Sequence, residues 1–251
     1  MKKKAVFTIV KNENYFLPIW LKYYQKYFSN EDIYILDHQS DDGSTSNLNV
    51  NVIPIINELA FDHQWLVTIV QNFQESLLQK YESVLFVESD ELVYSIEKPL
   101  NEIIDAFLND DEVKYQTCTG YEVIQNIEKE KTLEPNDELF KNRNYWFKTT
   151  PYDKTLLSKI PLKWVWGFHE ITNGVVDKKY NLFLCHLHRV DFEFMLKRHE
   201  ERATKWKLKD DGAHGFQHKV GTRQGVLDYF NTTHSTIVEI PEDHKLSLNG
   251  I

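Results

Sequence analysis

Three carboxylates, Glu88, Asp90 and Glu91, crowd into the stretch VLFVESDELV at residues 84–93, directly behind an apolar run. On an extended chain residues two apart face the same side, so Glu88 and Asp90 can converge where the strand ends. Like charges this close repel one another unless a cation offsets them. Hard carboxylate oxygens suit Mg²⁺ or Mn²⁺, which would bridge to the diphosphate of a substrate. A solvated strand end is the rival reading.

Eight of the ten histidines follow residue 168: His169, His186, His188, His199, His214, His218, His234 and His244. In CHLH, His186 and His188 share one side of an extended chain, where imidazoles could complete a metal shell begun by the carboxylates. As partly buried structural residues they would need no ion. A zinc site made of histidines alone lacks a third ligand at fixed spacing. In WVWGFHE, residues 164–170, rings flank a glycine ahead of His169 and Glu170. That suits an aromatic sugar platform with a base in reach of an acceptor hydroxyl; a core segment ending in a surface loop is the alternative.

ILDHQSDDGST sets Asp37 at a strand end, where it could accept hydrogen bonds from a ribose or base. Asp41, Asp42 and Gly43 make the turn behind it, and a turn alone also explains them. Lys197, Arg198, Arg202, Lys205, Lys207 and Lys209 lie in KRHEERATKWKLK. With Glu200 and Glu201 as neighbours the strip reads as a solvated helix face, and phosphate neutralisation is the second option.

These residues need elements to position them. AVFTIV (5–10), DIYILD (32–37), NVIPI (51–55) and SVLFVESDE read as strands. Between them, NYFLPIWLKYYQKYF (14–28) has helical spacing and tolerates Pro18 only in its first turn. Asp62 should cap a helix over 63–81 with a stripe of Trp65, Ile69, Phe73, Leu77 and Tyr81. Strand and helix alternating over short connections imply a mostly parallel sheet wrapped by helices, with ligands at the carboxyl ends of the strands. Further on, 100–110 should be a helix, 115–124 a single strand, 180–190 a strand and 191–209 a helix. Residues 125–145 carry no structural signal, and 210–221 is expected to be a mobile loop.

The length, 251 residues, allows one large domain or a domain with an appended subdomain. A formal charge of −9 argues against a nucleic-acid partner, because phosphates would be repelled. Cys118 and Cys185 are too few for a disulfide framework. MKKKAVFTIV reads as a strand rather than a leader, and no apolar run is long enough to span a membrane. The expected location is the cytoplasm, free or peripheral to a membrane.

The ordered set of KNE before FLPIWLKYY, then LDHQSDDGST, then LLQKYESVLFVESDE, then a late CHLHR resembles the family 2-like glycosyltransferases of GT-A fold. The resemblance covers residues 5–95 and, loosely, 160–200. It implies an α/β fold: a Rossmann-like mixed, mostly parallel sheet flanked by helices, with a C-terminal helical extension. It also implies a nucleotide-sugar donor, Mn²⁺ or Mg²⁺, and a saccharide or glycolipid acceptor in surface polysaccharide synthesis, with 1–100 as the nucleotide-sugar-binding half and 101–251 as the acceptor-binding half with a C-terminal helical region of one compact domain. Glu13 and Asp37 would line the nucleoside pocket, with Asp42 beside them. Glu88 and Asp90 would be the metal-binding acids, Glu91 would support the sugar or the loop, and His186 or His188 would be the late ligand. Glu88 departs from the usual Asp. The usual acidic base is not recognisable, which leaves Glu170 and Asp153. A nucleotidyltransferase, a non-catalytic carbohydrate-binding module and a histidine-built metallohydrolase are the competing readings.

Overall fold

The computed structural model describes residues 2–134, 137–206, 220–233 and 235–251. β1 (Lys2–Val10) is fully buried from Ala5 to Phe7. A strand covered on both faces needs no polar alternation, which is why AVFTIV is continuous in apolar character. It pairs in parallel with β2 (Ile33–Asp37) and with β4 (Tyr81–Phe86), and β3 (Asn51–Pro54) adds in parallel to β2. On the far side of β4, β9 (Thr155–Ser158) is antiparallel, and β6 (Tyr115–Thr117) is antiparallel to β9. The first sheet therefore has the order β3-β2-β1-β4-β9-β6.

Helix α1 (Phe16–Tyr24) holds Pro18 in its first turn, where no intrahelical N–H is lost. Helix α2 (His63–Leu78) is capped as expected: the Asp62 carboxylate accepts from the amides of Gln64 and Trp65. Its buried residues are Val67, Val70, Gln74 and Leu77, while Ile69 and Phe73 are only partly covered. The packed face is thus rotated from the expected stripe. Gln74 belongs to it because its Oε1 accepts the Leu162 amide at 2.8 Å.

A second sheet has the order β11-β8-β7-β10-β5, from β5 (Glu91–Tyr94), β7 (Thr119–Ile124), β8 (Tyr145–Lys148), β10 (Phe183–Arg189) and β11 (Val238–Glu239). Only β7 and β10 are parallel within it. The expected single strand 115–124 is split at buried Cys118, where the chain crosses between sheets and the Cys118 amide bonds Lys154 O. Just after the crossing, a Cβ at Gly120 would lie 2.3 Å from the Tyr152 backbone, so only glycine admits that approach. One hydrophobic core runs through both sheets.

Helices α3 (Leu100–Leu108), α4 (Leu139–Asn142), α5 (Phe192–Lys205), α6 (Arg223–Asn231) and α7 (Glu242–Ser247) flank the sheets. The molecule is a mixed α/β protein. Residues 125–145 are more ordered than their charge suggests, because α4 and the segment around it are tied to Asp191: its Oδ2 accepts from the Leu133 amide and from Arg143. α5 and α6 pack through a smaller cluster that includes Phe192, Met195, Val226 and Phe230. Of the expected mobile loop, residues 210–219 lie outside the described residues. The ESDE segment leaves β4 in the first sheet and enters β5 in the second, so its side chains stand at the seam.

Candidate functional site

A cleft of about 450 Å³ opens at this seam, at the carboxyl ends of β1 and β4. Its walls come from the β1–α1 turn (Lys11, Glu13), the ESDE link, the aromatic segment 166–169, β10 and α5. Asp90 stands at the centre. Its Oδ1 is 3.9 Å from His186 Nε2, and its Oδ2 is 3.9 Å from His188 Nδ1 and 3.6 Å from Arg198 Nη1. Burial works to raise its pKa, yet His186, His188 and Arg198 hold the carboxyl well below its ordinary range.

The histidine pair owes its position to β10, where alternation turns both rings to the cleft, as the spacing of CHLH implies. His186 Nδ1 donates to buried Glu122 Oε2 at 2.7 Å. Burial lowers its pKa, but Glu122 and Asp90 outweigh that and push it up to about 9. For His188 burial wins, and its pKa falls well below the ordinary value. The relay behind it sets the tautomer. His199 Nδ1 donates to Val220 O at 3.1 Å, so its Nε2 accepts from His188 Nε2 at 3.2 Å.

The other two acids of ESDE are held by a residue that the sequence did not flag. Lys154, 1% exposed, places Nζ 2.6 Å from Glu88 Oε2 and 2.7 Å from Glu91 Oε1. Burial lowers its pKa, but the two carboxylates outweigh that and raise it above the ordinary value. Glu91 is buried outright, and its Oε2 accepts the Glu88 amide at 3.3 Å. The cation that reconciles these neighbouring acids is internal. Among the described residues, no group of three or more His, Cys, Asp and Glu side chains is arranged to hold an ion. A cage of Glu88, Asp90 and both histidines does not fit, because Lys154 holds Glu88. One carboxylate, Asp90, with an imidazole beside it does fit a divalent cation whose shell is completed by water and substrate phosphate, the usual habit of Mg²⁺.

Around β2 the polar residues divide differently from the expectation. Asp37 caps its own turn, Oδ1 accepting the Ser40 amide and Oδ2 the Thr45 hydroxyl, both at 2.9 Å. Asp42 accepts from Ser44 N and Oγ on the exposed turn. Neither lines the cleft. His38 does: it is 2% exposed, and its Nε2 has no hydrogen-bond partner among the described residues. Lys11 Nζ, beside it, donates to the carbonyls of His38 and Gln39. Glu13 lines the cleft and accepts from Arg198 Nη2 at 2.6 Å.

Of the proposed bases, His169 lines the cleft. Its Nδ1 donates to Pro151 O at 2.6 Å, and burial, then Lys154, lowers its pKa to about 4. Gly167 ahead of it has φ of 74°, and a Cβ there would sit 2.6 Å from His169 Nε2. Trp166 stacks on His63 at 5.7 Å and donates to Gln64 Oε1, which forms an aromatic lip. Glu170 is exposed and outside the lining. Asp153 is bound by Lys148, by Lys178 at 2.7 Å and by the Gly120 amide at 2.8 Å, also outside it.

The basic strip is not one solvated face. Lys197 and Lys205 are exposed, whereas Arg198 and Arg202 line the cleft. Lys207 and Lys209, like His214, His218 and His234, lie outside the described residues. A signal for Arg202 was present: the buried positions 192, 195, 199 and 202 make one helical stripe, and it ends on an arginine. Lys154 had no such signal, since its partners lie more than 60 residues away.

No family model and no curated protein matches the chain. Solved structures match weakly. A cytidylyltransferase from Leptospira borgpetersenii is 12% identical over 47% of this chain and 54% of its own, with a TM-score of 0.33. A mannosyltransferase from Pyrobaculum calidifontis, in complex with GDP-Man and Mn²⁺, is 16% identical over 47% of this chain and 35% of its own, with a TM-score of 0.32. A UDP-glucose pyrophosphorylase complexed with UDP-glucose is 13% identical over 92% of this chain and 98% of its own, with a TM-score of 0.30. The chain thus spans about half of the first protein and a third of the second. These likenesses assign no family. No helix among the described residues is long and apolar enough to cross a membrane.

Proposed function

We propose that this cleft transfers a glycosyl group from a nucleotide-sugar donor to a hydroxyl of a saccharide or glycolipid acceptor, on a GT-A-type scaffold. The observation that carries the reading is Asp90, a cleft-facing carboxylate in the link that follows a parallel strand, flanked by two imidazoles and an arginine. Open α/β sheets bind ligands off the carboxyl ends of their strands.

Asp90, with His186 or His188, would hold a divalent cation, which would supply charge neutralisation at the donor diphosphate. The sugar–oxygen bond breaks with its electron pair going to the diphosphate. The acceptor oxygen bonds the anomeric carbon and loses its proton to His169, whose Nε2 carries the lone pair because Nδ1 donates to Pro151 O. The indole of Trp166 and the ring of His63 form an apolar rim that suits a sugar face. Lys154 keeps Glu88 and Glu91 from competing for the cation.

Nucleotidyl transfer is the second reading, favoured by Lys11 directly behind β1 in the cleft. A thermal-shift panel tests both. UDP, GDP, CDP or dTDP should raise the melting temperature, more so with Mn²⁺, and Asp90→Asn should remove the Mn²⁺ increment. Stabilisation by nucleoside triphosphates and sugar 1-phosphates alone would move the assignment to nucleotidyl transfer. No shift with any nucleotide would reject both.

A further inference from the structure

Helix α5 brings two guanidinium groups into the cleft one turn apart. Arg198 Nη2 is spent on Glu13 at 2.6 Å, but Nη1 is buried, makes no hydrogen bond among the described residues and lies 3.6 Å from Asp90 Oδ2. Arg202 is 8% exposed; burial, then the repulsion of Arg198, lowers its pKa to about 10, against the pull of Glu13 and Asp90. Like charges at this spacing on a helix are unfavourable, and burying each adds a desolvation cost. Between them His199 contributes no charge, since burial holds its pKa down to about 4.

Lys154 is clasped by Glu88 and Glu91, and Lys11 by two backbone carbonyls. An anion between Arg198 and Arg202 would offset their mutual repulsion and give Arg198 Nη1 a partner. The planar fork of arginine matches phosphate oxygens in a bidentate manner. Asp90 stands beside the pair, so a phosphate held there could also reach a cation on Asp90.

Resting on the glycosyl-transfer reading, we propose that Arg198 and Arg202 form the diphosphate subsite of the donor. They bind its non-bridging oxygens and stabilise the charge that gathers there as the sugar departs.

Calorimetry separates this subsite from the rest of the cleft. The probes are the tightest binder among UDP, GDP, CDP and dTDP, its parent nucleoside, and inorganic pyrophosphate, each titrated into the full chain. Arg202→Met keeps side-chain volume and removes the charge. It should weaken the diphosphate about 10- to 100-fold, the size expected for a lost charged hydrogen bond, and leave the nucleoside within about twofold. Pyrophosphate should compete with the diphosphate in the parent protein and fail to do so in the variant. Because Arg198→Met alone strands buried Glu13, the double variant Arg198→Met with Glu13→Gln is the second probe, and measured against Glu13→Gln alone it should show the same pattern. An unchanged diphosphate affinity in both variants, or equal losses for nucleoside and diphosphate, overturns the subsite while leaving glycosyl transfer standing. Binding of pyrophosphate but of no nucleotide, abolished by Arg202→Met, keeps the anion site and rejects the nucleotide-sugar donor.

Discussion

At the scale of single residues, two glutamates three positions apart play unequal parts because one lysine holds both. Glu91 is fully buried, and Lys154 is its counter-ion; Glu88 keeps a side chain 35% exposed. Removing one member of a buried ion pair leaves the other uncompensated, at about 3–5 kcal/mol. Lys154→Met should therefore cost ~3–5 kcal/mol in urea unfolding, and Lys154→Met with Glu91→Gln should recover a large part of it. Glu88→Gln, with water as an alternative partner, should cost under ~1 kcal/mol. A Lys154→Met variant as stable as the parent would mean that Glu91 is not charged in the native state. The acids themselves were legible from their crowding in ESDE, but the cation that offsets them was not. Three neighbouring carboxylates announce that some positive charge is near; a sequence cannot say whether it is an ion from solution or an ammonium from a distant strand.

At the scale of elements, the site depends on how α5 leaves β10. Asp191 caps the helix by accepting the Phe194 amide at 3.0 Å, and its other oxygen accepts from Arg143 Nη2 at 2.9 Å and from the Leu133 amide. Both partners of that ion pair are buried, 0% and 1% exposed. Asp191→Ala would remove the cap and strand a buried guanidinium, so a loss of ~3–5 kcal/mol is expected. Nucleoside-diphosphate affinity should fall with it, since Arg198 and Arg202 ride on the same helix. A stable Asp191→Ala protein with unchanged nucleotide binding would show that α5 is placed by its apolar contacts alone. The strands and helices up to Phe86 could be read from hydrophobic period and from the Asp62 cap because their signals are local. The division of 115–124 into strands of two sheets could not. β6 and β7 carry the same alternating pattern, and what separates them is the close passage of Tyr152 over Gly120, a contact between segments some 30 residues apart. The face of α2 was misjudged for a related reason: Gln74 is buried only because the Leu162 amide meets it.

At the scale of the whole molecule, the cleft is a joint between two sheets that share one hydrophobic core. Residues of β1 and β4 pack in the same cluster as Leu92, Val93, Leu184 and Leu187 of the second sheet. A shared core makes unfolding cooperative, so far-ultraviolet dichroism and tryptophan fluorescence should report one coincident transition. A ligand that touches the β1–α1 turn, Asp90 and α5 together binds only when both sheets are folded, and it should move that whole transition. At a hundred times its Kd the stabilisation is about 2.7 kcal/mol. A domain of this length gains roughly 2–4 °C per kcal/mol, which gives an expected rise of ~5–11 °C for the best nucleoside diphosphate. The formal charge of −9 sharpens the test. The molecule as a whole repels polyanions, so on this reading donor binding comes from the local arginines, and double-stranded DNA should produce no shift. Two separated transitions, with the nucleotide raising only one of them, would show that the sheets unfold independently and that the ligand does not span the seam.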